Sequence, residues 1–196
     1  MSHFTTLQAE LYDEAVLIES LEELCGSLGG DGVSKGGKVR GYHNSNTDAD
    51  IVLLMPNGYD VGFKRNEKGR FDIVADWYGV KAGKTAFLSL LFQHYAEKKI
   101  RKAAQKSTLT VLNRIAQPDG SMLLTLEKSL MSEKKMTVEI KVDSNQDVDI
   151  NVIGGDGKTC KDATREIEAA LGKVKNVRYK PEYNKATVIG TEKLKQ

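Results

Sequence analysis

Cysteine, histidine, proline and tryptophan are all scarce in this chain of 196 residues, which has two Cys, three His, three Pro and one Trp. The two cysteines, Cys25 and Cys160, lie far apart in unrelated surroundings, and this excludes a disulfide framework. Together with His3, His43 and His94 they offer no zinc-ligand spacing. No apolar run approaches the ~20 residues of a membrane-spanning helix, and the N-terminus lacks a secretory-signal pattern. The expectation is a cytoplasmic protein without membrane contact. A concentration of charge is missing as well. The net charge is +2, with 16 basic against 17 acidic residues over 1–133 and 13 against 10 over 134–196. Neither part carries the basic excess of a dedicated nucleic-acid-binding domain.

The spacing of a phosphate-binding loop is missing in the same way, with phosphate binding by the run Gly29–Gly37 the minority alternative. Gly-Lys-Thr occurs at 83–85 and at 157–159, but Tyr78 and Val152 stand where the earlier glycine of a P-loop belongs. The run Gly29–Gly37 fails the G-x-G-x-x-G spacing, because Lys35 occupies the third glycine position. It reads as a flexible loop.

What is there is ordinary globular material, 40% hydrophobic and 29% charged. The stretch from Ala49 to Trp77 organises it: three short apolar runs separated by turn signals at Asn57-Gly58 and Lys68-Gly69. With those pairs as two-residue loops, Leu54 faces Val61, Val52 faces Phe63, Asp50 faces Arg65, Arg65 faces Asp72 and Phe63 faces Val74. Side chains alternate between faces. One face then carries Val52, Leu54, Val61, Phe63 and Val74, and the other Ile51, Leu53, Met55, Phe71, Ile73 and Ala75. Both are apolar at their centres, so the sheet must be covered on both sides. Arg65 between Asp50 and Asp72 reads as a cross-strand charge ladder or, alternatively, an anion site. Gly62, in mid-strand, marks a close approach by Trp77 or by a helix.

Around the meander, residues 3–11 suit an opening strand. Asp13 suits the N-cap of a helix with Val16, Leu17, Leu21, Leu24 and Leu28 on one stripe, and Cys25 beside it is a small buried hydrophobe. Lys38–Tyr42 reads as a strand and 43–48 as a loop. A second helical stretch follows Gly83-Lys84-Thr85 and runs to about Gln105. Its basic end (Lys98, Lys99, Arg101, Lys102, Lys106) complements the helix dipole or, alternatively, contacts nucleic acid. Leu109–Ile115 and Ser121–Glu127 form a hairpin around Pro118-Asp119-Gly120. After a linker at 131–135 come strands 137–142 and 148–153, a Gly-rich turn, a helix 161–171, a strand around 174–179 and a polar tail. Cys160 opens that helix, where N–H groups favour a thiolate; it is a small first-turn residue or a reactive thiol. The fold class is α+β: an antiparallel sheet meander with two packed helices over 1–130, plus a small ββαβ module over 136–196.

Several motifs carry a resemblance. MSHF (1–4), VRGY (39–42), TDADIV (47–52), NGYDVGF (57–63) and VADWYGV (74–80) resemble, in this order, the plastid and cyanobacterial hypothetical reading frame thirty-five family, a domain of unknown function. The resemblance covers about residues 1–128. Residues 136–185, with GGDGKTC, ALGKV and PEY, are similar to a second small domain of unknown function, usually encoded beside the first. The chain is then expected to be a fusion of two neighbours that work in contact. The resemblance implies an AAA-type ATPase as partner and no established catalytic residues or cofactor. The matched positions Arg40, Asp50, Tyr59, Asp60, Asp76, Trp77 and Cys160, together with Arg65 from the meander, are the candidates for an interaction surface. The family pattern would put a second Trp at Tyr78. The expected function is a non-enzymatic adaptor that docks a protein on the meander's less covered face. The alternatives are a nucleic-acid-associated protein and a thiol redox enzyme at Cys160.

Overall fold

The computed structural model describes residues 5–129, 135–143, 147–154 and 157–171. They fall into two compact units, one of 5–98 with Asp143 and one of 99–129, 135–142, 147–154 and 157–171. The division between these units lies inside the second helix. The expected linker, Lys135 apart, lies outside the described residues.

In the first unit, β1 (Thr5–Leu11), β2 (Gly32–Arg40), β3 (Asn46–Leu54), β4 (Val61–Arg65) and β5 (Phe71–Ala75) make one antiparallel sheet of order β1-β5-β4-β3-β2. Helix α1 (Glu14–Leu28) begins where Asp13 turns its carboxylate back to accept the Val16 N–H at 3.1 Å. It ends at Gly29, whose φ of 65° is left-handed. Its stripe Val16, Leu17, Leu21 and Leu24 is buried, with Cys25 beside it. Helix α2 (Lys84–Lys106) contributes Phe87, Leu91, Phe92 and Tyr95 to the same core. The two helices are also joined at their surface, where Glu23 accepts from Lys98 and pairs with His94. Both cover the sheet face made by Ile51, Leu53, Val61, Phe63, Phe71, Ile73 and Ala75.

That face corrects the expected register. Leu53, not Leu54, pairs with Val61, and Ile73, not Val74, pairs with Phe63. Each pairing slips by one residue, which exchanges the faces of Val61 and Phe63. The reason is the same in both turns: an Asp or Asn side chain lengthens the loop. Asp60 turns inward and accepts the Met55 N–H at 2.9 Å, so the loop spans Met55–Asp60. Asn66 accepts the N–H groups of Lys68 and Arg70, and its own N–H reaches the Arg70 carbonyl at 2.7 Å. A three-residue loop with Gly69 left-handed (φ 74°) results.

The glycine-rich run is a second correction. From Gly32 on it is not a loop but the first half of β2, paired with β3 from Gly32↔Leu54 to Arg40↔Asn46. Gly36 and Gly37, with φ of 69° and 149°, allow the hairpin to bend sharply. Its outer half folds back over the second face of the sheet. The bend brings Val39 and Ala49 onto Gly62, where a Cβ would lie 2.2 Å from Val39 Cγ2 and 2.9 Å from Ala49 Cβ. Gly62 does mark a close approach, but the approaching element is this hairpin, not Trp77 or a helix. Val39, Ala49 and Val52 are buried there with Leu54 packed against them. The protein thus covers part of the second apolar face with its own chain.

In the second unit, β6 (Thr110–Ala116), β7 (Met122–Ser129), β8 (Lys135–Val142) and β9 (Val148–Ile153) form an antiparallel sheet of order β6-β7-β8-β9, followed by α3 (Gly157–Leu171). The β6–β7 turn is held by Asp119, which accepts from Ser121 N–H and Oγ and from Lys141 Nζ. Lys141 and Ser121 keep its carboxyl well below the usual range. The strand expected around 174–179 lies outside the described residues. No helix among the described residues is long and apolar enough to cross a membrane.

Candidate functional site

Three loops converge at one end of the first sheet: the tip of the β2–β3 hairpin, the β3–β4 loop and the segment after β5. Two buried carboxylates tie them together. Asp60 is fully buried. Its Oδ2 accepts from Arg40 Nε at 2.7 Å and Arg40 N–H at 3.0 Å, and its Oδ1 from Arg40 Nη2 at 2.8 Å and Met55 N–H at 2.9 Å. Arg40 Nη2 also reaches the Met55 carbonyl, and the Asp60 N–H reaches the Arg40 carbonyl at 3.1 Å. Burial alone would raise the Asp60 pKa, but the guanidinium and the two backbone donors outweigh it and hold the carboxyl below its ordinary value. The bidentate partner raises Arg40 in return. The folded-back hairpin is therefore latched to the β3–β4 loop by a charge-assisted cluster.

Asp76, only 2% exposed, makes the second tie. It accepts the Tyr42 N–H from the hairpin tip at 3.1 Å and the Tyr78 N–H at 3.3 Å. Asn57 Nδ2 donates to the Gly79 carbonyl at 2.7 Å, and the Tyr59 ring lies where a Cβ on Gly79 would be, 2.0 Å from its nearest atom. Burial pushes the Tyr59 hydroxyl pKa up, and the Asp76 charge adds to this. Around these ties stand Tyr42, 45% exposed and edge-on to His43, and Tyr78, 82% exposed. Trp77 points the other way, into the core beside Phe87 at 5.8 Å between ring centroids.

The structure thus brings Arg40, Tyr59, Asp60 and Asp76 together, with Trp77 next in the chain, but gives them different parts. Asp60, Asp76 and Trp77 are internal supports; Arg40 and Tyr59 are only partly covered. Tyr42 was missed as a site residue; it closes the VRGY motif, but its place on the rim depends on the fold-back. Asp50 and Arg65 stand elsewhere and do not form the expected ladder with Asp72. Asp50 accepts the Arg65 backbone N–H at 2.6 Å, while the Arg65 guanidinium pairs with Glu14 at 3.1 Å and lies over the Phe71 ring. Asp72 accepts from Asn66 instead. The slipped register, which pairs Arg65 with Phe71, is the cause. Cys160 lies in the first turn of α3, in the other unit. Among the described residues, no group of three or more His, Cys, Asp or Glu side chains could hold a metal ion.

Comparison with known proteins divides the sequence into two family segments. Residues 26–125 match the model of a protein of unknown function, DUF1257, and the chain belongs to that family. Residues 138–184 match a second one, DUF2997, also of unknown function. Among curated proteins, the chain is similar to the uncharacterized protein ycf35 of Guillardia theta, 32% identical over 130 residues, and to that of Pyropia yezoensis, 28% identical over 130 residues. Each match covers 65% of this chain and 98% of the relative. No solved structure gives a significant match.

Proposed function

We propose that this chain is a non-enzymatic adaptor that binds another protein through the aromatic rim of its first unit, with an AAA-type ATPase, implied by the family resemblance, as the partner. The observation that carries the reading is the exposure of Tyr42 and Tyr78 on loops pinned by the buried Asp60 and Asp76. Aromatic side chains give large contact area at small entropic cost, and prior fixing of their loops lowers that cost further. The rim replaces the meander's second face as the docking surface, because the folded-back hairpin occupies that face around Gly62. The nucleic-acid alternative is weakened by the pairing of Lys98 with Glu23, which uses part of the basic cluster within the fold.

The test is affinity capture from native lysate, read by mass spectrometry, with the wild type and with the double variant Tyr42→Ala, Tyr78→Ala. Enrichment of an ATPase by the wild type and its loss from the folded variant is the expected result. Recovery of the wild type as a lone monomer overturns the reading.

A further inference from the structure

The match to the first family stops at residue 125 and the match to the second starts at 138. The seam between the two family segments therefore falls inside one compact unit, between β7 and β8. These are the two central strands of the sheet. They pair without a break for eight residue pairs, from Met122↔Val142 to Ser129↔Lys135. On one face of this ladder, Met122, Leu124 and Leu126 stand opposite Val142, Ile140 and Val138, and all six are buried. Ala163 and Ile167 give α3 a buried stripe in the same unit.

A chain carrying the first segment alone would present β7 as an open edge with a bare apolar row. Such edges pair with whatever strand is offered. The curated relatives are too short for both segments, since 130 residues make up 98% of each.

We propose that the β7 edge is a docking edge for a polypeptide of the second family, filled in this chain by its own β8. The two segments hold together by strand addition, as in other β-augmented complexes, and the covalent connection between them is dispensable. The partner chemistry is specific: an alternating strand with Met136, Val138, Ile140 and Val142 on its buried face. The inference is independent of the adaptor reading, which concerns the other unit.

The full chain, with a protease site inserted between Ser129 and Lys135, is folded, cleaved and passed over a sizing column with light scattering. Both fragments are expected in one peak at the mass of the uncut chain. Two separate peaks overturn the proposal, and a peak at twice the mass overturns filling of the edge by the chain's own segment. A second variant, Val138→Pro, removes from β8 a backbone donor that faces β7, at the position opposite Leu126. Uncut, it stays in one piece; cleaved, it should lose the C-terminal fragment. If the cleaved variant still elutes as one peak, the ladder is not what holds the segments together.

Discussion

Replacing Asp60 by alanine should cost the first unit about 3–4 kcal/mol. Four donors point at the Asp60 carboxylate. The Arg40 guanidinium is half exposed, at 49% for the side chain, so water can replace its lost partner and its share is small. The Met55 N–H is buried and the Arg40 N–H partly so. Each buried donor left without an acceptor costs about 1–3 kcal/mol, and the sum falls within the ~3–5 kcal/mol of a broken buried pair. With a urea slope near ~1.5 kcal/mol/M the midpoint should drop by about 2 M. Trp77, the only Trp of the chain, reports this unit by fluorescence. Asp60→Asn should lose nearly as much, because its amide group brings a donor where acceptors are required. The acid limb supplies a further check. The folded Asp60 pKa is depressed, so its contribution is present above the unfolded value, ~3.9, and is lost as pH falls through the lower folded one. Asp60→Ala should flatten that acid loss. A midpoint shift below roughly 0.3 M, under about 0.5 kcal/mol on the same slope, would refute the latch, since the hairpin would then hold its place without it.

Two further outcomes follow from the same unit. Gly62→Ala puts a methyl 2.2 Å from Val39 Cγ2, and such overpacking should cost about 1–3 kcal/mol; adding Val39→Ala should restore part of the loss, so strictly additive effects in the double-mutant cycle would count against the fold-back. Tyr95 accepts the N–H groups of Tyr12 and Asp13 at 3.2 and 3.0 Å, so Tyr95→Phe should destabilise by about 1–3 kcal/mol in urea melts. Burial raises its hydroxyl pKa and the two N–H groups only partly offset this. Its contribution is then present below the unfolded value near ~10 and lost as pH rises through the folded one; a Phe variant with the same alkaline slope as the wild type contradicts that.

The sequence by itself determined the elements whose causes are local. Asp13 with its apolar stripe gave α1, the Pro118-Asp119-Gly120 turn gave the β6–β7 hairpin, and the alternation of 49–77 gave three strands with two apolar faces. The five motifs gave the family. Register was beyond it, because Asp60 and Asn66 choose the turn only once backbone donors converge on them, and both faces stay apolar whether or not β4 slips by one residue. Tertiary structure alone decided what covers the second face. A glycine run has no local signal separating a loop from a bent strand, and only the missing Cβ at Gly62 lets Val39 settle there. The same fold-back sorted the candidate residues, turning Asp60 and Asp76 into buried ties and leaving Tyr42 and Tyr78 at the surface.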